Sequence, residues 1–192
     1  MWATPLQLAT ATAILANRGE VVEPRMLKAI DGISYSPSAE KSVSALKIGQ
    51  EHLSYVEDAM TMVVHRPFSD VFRDYGTAYE AIAMKDPEME YEIAGKSGSA
   101  QVVSIAQDIL QSTDIDTSDL NKDHALFVAY GPARHSSIDP QIAVAVFVEN
   151  GEQGSSVAGP IAKAVIDEYL LEILSIDFGL INNSLPEELS QR

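Results

Sequence analysis

The sequence predicts an α+β fold in which helices flank an antiparallel sheet. Three apolar segments, at 91–103, 125–130 and 141–148, read as strands, and the linkers between them fit antiparallel neighbours although the first is long. Helical patterns lie before the strands, at 4–18 and 50–64, and after them, at 156–174.

The first helix is marked at its start by Thr4 as N-cap, Pro5 at the first helical position and Gln7 placed to close a capping box. Gly19 is a natural stop, and Leu6, Ala9, Ala13 and Ala16 form a small-residue stripe suited to close packing. Residues 20–30 contain Pro24 and read as an edge strand or irregular connection, and 31–49 as a loop. The second helix carries Leu53, Val56, Met60 and Val63 at helical spacing. Its pattern ends at Pro67, and the chain then passes through Gly76, Thr77 and Ala78.

The strands at 125–130 and 141–148 are apolar on both faces, which places them in the middle of a covered sheet. Between the first two strands, Asp114, Asp116 and Asp119 have no central glycine or terminal glutamate to complete a calcium loop, so they read as a solvated acidic loop. The last helix has a broad apolar face built from Val157, Ala158, Ile161, Ala162, Val165, Ile166, Tyr169 and Leu170, fit to cover a sheet. Residues 177–192 read as a polar tail.

The first strand holds the chemistry. Gly95 to Val103 reads GKSGSAQVV and brings together Lys96, Ser97, Gly98 and Ser99. A cation and hydroxyls grip a carboxylate, and a residue without a side chain lets a ligand backbone approach the strand. A Lys-Ser-Gly tripeptide alone is also what an ordinary exposed turn contains, so its surroundings decide. His124 reads as a structural hydrogen-bonding residue rather than a base, and His52, His65 and His135 show no metal-ligand spacing.

Composition narrows the class. The formal charge of −15 argues against a nucleic-acid partner, whose phosphates demand basic patches. Cysteine is absent, which removes disulfides and thiolate metal sites. No apolar run reaches the roughly 20 residues that span a bilayer as a helix.

Four blocks, ATPLQLATATAILANRG, KSGSAQ, HALFVAYGP and AVAVFVENG with SSVAGPIAKAVIDEYL, stand in one order. In that order and spacing the chain resembles the C-terminal half of a class B penicillin-binding protein transpeptidase domain, above all the penicillin-binding protein 2 branch that serves cell elongation in Gram-negative bacteria. The resemblance implies a partial penicillin-binding, serine β-lactamase-like fold over 1–176. It implies acyl transfer without a cofactor or metal, D-Ala-D-Ala stem peptides and β-lactams as ligands, and a glycosyltransferase of the elongation machinery as partner. The parent protein is expected at the periplasmic face of the bacterial inner membrane, on an N-terminal anchor.

Carried over by residue, Lys96, Ser97, Gly98 and Ser99 are the Lys-Thr/Ser-Gly wall of the cleft. Lys96 is expected to bind the carboxylate and bias proton balance, Ser97 and Ser99 to donate hydroxyls, and the Ser99 backbone N–H to be one oxyanion donor. Serine at 99 in place of the commoner threonine keeps the hydroxyl and loses a methyl. The family's Gly-Thr-Ala element is met at Gly76, Thr77 and Ala78. Its nucleophilic Ser-x-x-Lys and its Ser-x-Asn precede the first block in the family, so the chain is expected to be part of a larger protein and inactive alone. The Ser38 to Lys41 string follows that block, in a loop-like stretch, and is read as chance. A serine β-lactamase or carboxypeptidase, and a catalytically empty sensor or interaction module, are the alternatives.

Overall fold

A computed structural model of the protein describes residues 3–27, 29–31, 33–34, 48–69, 74–101, 122–134 and 137–178. The Ser38 to Lys41 string, the three acidic loop residues, His135 and positions 179–192 lie outside the described residues.

Helix α1 (Pro5–Ala16) starts as its sequence dictates. The Gln7 N–H donates to Thr4 Oγ1 at 3.2 Å, and the Thr4 N–H donates to Gln7 Oε1 at 2.8 Å, closing the capping box. Such a cap is worth about 1 kcal/mol. At the other end the Gly19 N–H donates to the Ile14 carbonyl, with Gly19 in the left-handed region that suits glycine. The packed stripe differs from the expected one. Thr12 and Ala16 are buried while Leu6 is exposed, because the Thr12 hydroxyl donates to the Leu8 carbonyl and so enters the core satisfied.

A two-stranded hairpin of β1 (Ala29–Ile30) and β2 (Ile33–Ser34) follows, part of it in the stretch expected as loop. Helix α2 (Gln50–His65) buries Leu53, Glu57, Met60, Thr61 and Val64. Val56, expected inside, is exposed, and two polar residues take the stripe instead. Glu57 pairs with the Arg18 guanidinium at 2.7 Å and accepts the Arg134 N–H at 3.3 Å, while the Thr61 hydroxyl donates to the Glu57 carbonyl at 2.9 Å. Burial of these groups is tolerable only because each has a partner.

The sheet is antiparallel in the order β3 (Glu92–Ala100), β4 (His124–Ala133), β5 (Ile142–Val148). Strand β4 is central and runs three residues past the expected end at Tyr130, through Gly131, Pro132 and Ala133. Strand β5 is an edge among the described residues and only half-buried, rather than covered on both faces.

Alternation along β4 sends Ala125, Phe127 and Ala129 to one face and Tyr130 to the other. The first face is roofed by the C-terminal helical run, in which α3 (Gly159–Asp167) stands between wide π turns at Gly154–Ala158 and Glu168–Ile173. Ala158, Ala162, Ile166 and Leu170 pack there with Phe127, Ile93, Ile82 and Val64. The opposite face meets α1 and α2 through Ala16, Met60, Ala94 and Tyr130.

The core extends to Phe178, fully buried and stacked on Tyr91 at 5.0 Å between ring centroids, two residues into the segment expected as tail. A polar knot ties the start of β3 to the roof. The Tyr91 hydroxyl donates to Asp167 at 2.5 Å, and Lys163 pairs with Asp167 and, at 2.8 Å, with Asp86. Burial and the neighbouring carboxylate raise the Tyr91 pKa; burial lowers that of Lys163, but its bonds to Asp167 and Asp86 outweigh this and keep it raised.

Candidate active site

Lys96, Ser97, Gly98 and Ser99 all lie on β3, which borders the sheet, so the outer side of the strand faces no other strand among the described residues. The register divides the four between two faces. Lys96 and Gly98 sit opposite Val128 and Leu126, while Ser97 and Ser99 sit opposite Phe127 and Ala125.

Lys96 is exposed, and its ammonium donates to the Ser97 carbonyl at 2.6 Å. Ser97 is half-buried, with Oγ 3.4 Å from Thr77 Oγ1. The Ser99 hydroxyl donates to the Glu152 carbonyl at 3.1 Å, so its side chain is directed to the loop after β5. That loop is built in. The Glu152 N–H donates to the Asp123 carbonyl at 2.8 Å, and the Asn150 N–H to His124 Nδ1 at 3.0 Å. His124, packed edge-on against Phe147, thus has the structural place its sequence context suggests. A Cβ on Gly154 would lie 2.2 Å from the Leu126 carbonyl oxygen and 2.6 Å from that of Gly98, so the loop backbone rests directly on the motif strand.

Gly98 itself has room. An added Cβ would meet only Leu126 Cβ, at an ordinary 3.6 Å. Nothing among the described residues demands glycine there.

Two neighbours of the strand were not legible as such. Thr77 lies 20 residues before Ser97, and Glu152 contributes a carbonyl, which its side chain does not announce. Chemically, the border offers the Lys96 ammonium, the Ser97 and Thr77 hydroxyls and main-chain polar groups. That set suits an anionic, peptide-like ligand. No cluster of three or more acidic or histidine side chains able to hold a metal occurs among the described residues.

Peptidoglycan D,D-transpeptidases MrdA are 37% identical over 168 residues in Haemophilus influenzae, 39% over 173 in Acinetobacter baumannii and 32% over 191 in Escherichia coli. These alignments take in 88%, 88% and 97% of this chain and 24%, 22% and 26% of those proteins, so the chain spans about a quarter of the length of the curated relatives it matches. Among solved structures, a penicillin-binding protein (PBP2) from Helicobacter pylori superposes with a TM-score of 0.55 at 25% identity, over 88% of this chain and 25% of that one. The penicillin binding protein transpeptidase domain profile matches residues 1–167, most of the chain; this protein belongs to that family.

Proposed function

We propose that the chain is the C-terminal portion of a peptidoglycan D,D-transpeptidase of the penicillin-binding protein 2 type, packed as far as Phe178, and that β3 forms one wall of its cleft. The observation that carries this reading is that Lys96, the Ser97 hydroxyl and the main chain of the motif strand lie together on an open sheet border. In this reading the nucleophilic serine comes from the part of the polypeptide that precedes residue 1. Its Oγ attacks the penultimate D-Ala carbonyl of a stem peptide, the terminal D-Ala leaves as the amine, and an amine of a neighbouring stem then takes the acyl group.

Lys96 and Ser97 hold the terminal carboxylate, as they would that of a β-lactam. The Ser99 N–H supports the oxyanion, while the Ser99 hydroxyl, given to the Glu152 carbonyl, fixes the strand. The reading puts the working protein at the periplasmic face of the bacterial inner membrane, beside a glycosyltransferase of the elongation machinery, and makes it a β-lactam target.

Lys96→Ala in the full-length transpeptidase tests this. The exposed ammonium would lose a charge-assisted hydrogen bond to the ligand, so the second-order rate of acylation by labelled penicillin is expected to fall roughly ten- to a hundredfold at unchanged thermal stability. A rate within about twofold of wild type overturns the assignment of Lys96 to the cleft.

A further inference from the structure

We infer that Thr77 is a positioning residue of the anion subsite, aligning the Ser97 hydroxyl for a carboxylate; this rests on the reading of Lys96 and Ser97 proposed above. Thr77 is exposed between two buried neighbours, Gly76 and Ala78. Those neighbours are bolted to the end of α2. The Gly76 N–H donates to the Arg66 carbonyl and the Ala78 N–H to the Val63 carbonyl, both at 2.9 Å. A Cβ on Gly76 would fall 2.3 Å from the Met62 oxygen and 2.4 Å from that of Val63. Backbone this close cannot shift cheaply, so the segment is a rigid mount whose one outward side chain is a β-branched hydroxyl with few rotamers.

That hydroxyl meets Ser97 Oγ at 3.4 Å, longer than a relaxed O–H···O bond. A hydroxyl has one hydrogen and two acceptor positions. For Ser97 to give its hydrogen to a carboxylate, its oxygen is best served by an incoming donor, and Thr77 is placed to be that donor. The chain Thr77 to Ser97 to anion polarises in one direction, each bond strengthening the next. The Lys96 ammonium, already on the Ser97 carbonyl, supplies the charge beside it. Thr77 thus acts through Ser97 and need not touch the ligand.

The test is a double-mutant cycle in the full-length transpeptidase, resolving initial penicillin binding from the acylation step. Thr77→Val keeps the shape and removes the hydroxyl. It is expected to weaken initial binding roughly three- to tenfold, the range of one neutral hydrogen bond, with the acylation step changed less. Thr77→Ser is expected to restore binding, and Thr77→Val added to Ser97→Ala to have no further effect. A loss confined to the acylation step, no rescue by serine, or additive losses in the double variant would each overturn the inference. Lys96→Ala measured alongside separates the two readings. If it alone weakens binding, the cleft assignment stands and the role of Thr77 falls; if it has no effect, the cleft assignment itself falls.

Discussion

Gly98 is the residue at which folding and function make opposite demands. Among the described residues a methyl group there would meet only Leu126 at an ordinary contact distance, and the backbone is not in the left-handed region. Gly98→Ala is therefore expected to leave stability unchanged or to raise it by up to about 1 kcal/mol through the unfolded chain. If a ligand backbone lies along β3, the same methyl occupies its place and penicillin acylation by the full-length protein should fall at least tenfold, as about 1.4 kcal/mol of hindrance suffices for that. Thermal denaturation with labelled-penicillin kinetics checks both halves; a variant that acylates normally removes close backbone approach from the mechanism. The motif was legible because lysine, serine and glycine occur in a short fixed string. The partners of its hydroxyls were not, since the Gly-Thr-Ala string marks Thr77 without joining it to Ser97, and a carbonyl at Glu152 leaves no local signature.

Elements were legible where their signals are local. The capping box at Thr4 and the alternating apolar strands needed no tertiary knowledge. The inner face of α2 departs from its apolar pattern because Glu57 enters the core paired with Arg18, just past α1, and with the Arg134 N–H at the end of β4, neither visible in the α2 sequence, while the Thr61 hydroxyl donates to the Glu57 carbonyl. The join between α2 and β3 is similar. The Ile93 N–H, at the irregular start of β3, donates to His65 Nε2 at 3.0 Å, so the imidazole supplies an acceptor where the ladder slips register. Burial lowers the His65 pKa below 6.5; Glu92 opposes the shift and Arg134 adds to it. The unfolded chain then binds the proton more readily than the folded one. The contribution of His65 to stability is full above pH of about 6.5 and is lost as pH falls through the lower folded value. His65→Ala is expected to cost about 1–3 kcal/mol at pH 7.5, the range for orphaning a buried N–H, and less at pH 5. Urea denaturation of both proteins across this range measures it; a pH-independent difference would show that the folded and unfolded chains bind the His65 proton alike.

At the scale of the whole molecule, the helical roof leaves part of its apolar surface exposed. Ala158, Ala162, Ile166 and Leu170 are buried, while Ile161 and Val165 remain 45% and 44% exposed. With Ile142, Tyr169 and Ile173 these two line an open groove of about 580 Å³. Sequence predicted the broad apolar face but not its division, because periodicity reports what can be buried and not what is present to bury it. Exposed apolar surface of this kind promotes association, which the net charge of −15 opposes at low ionic strength. The 192-residue chain alone is thus expected to self-associate increasingly with salt, and to form no covalent adduct with penicillin. Acylation requires a serine hydroxyl activated by an adjacent base and held in line with oxyanion donors. Ser97 and Ser99 share their strand with the polarising groups, and their hydroxyls are turned to Thr77 and Glu152. Intact mass after incubation with excess penicillin, with the full-length transpeptidase as positive control, reads the outcome. A stoichiometric adduct on the chain would overturn the division of labour proposed for the cleft, and would direct attention to Ser38 and Ser44, each followed three residues later by a lysine.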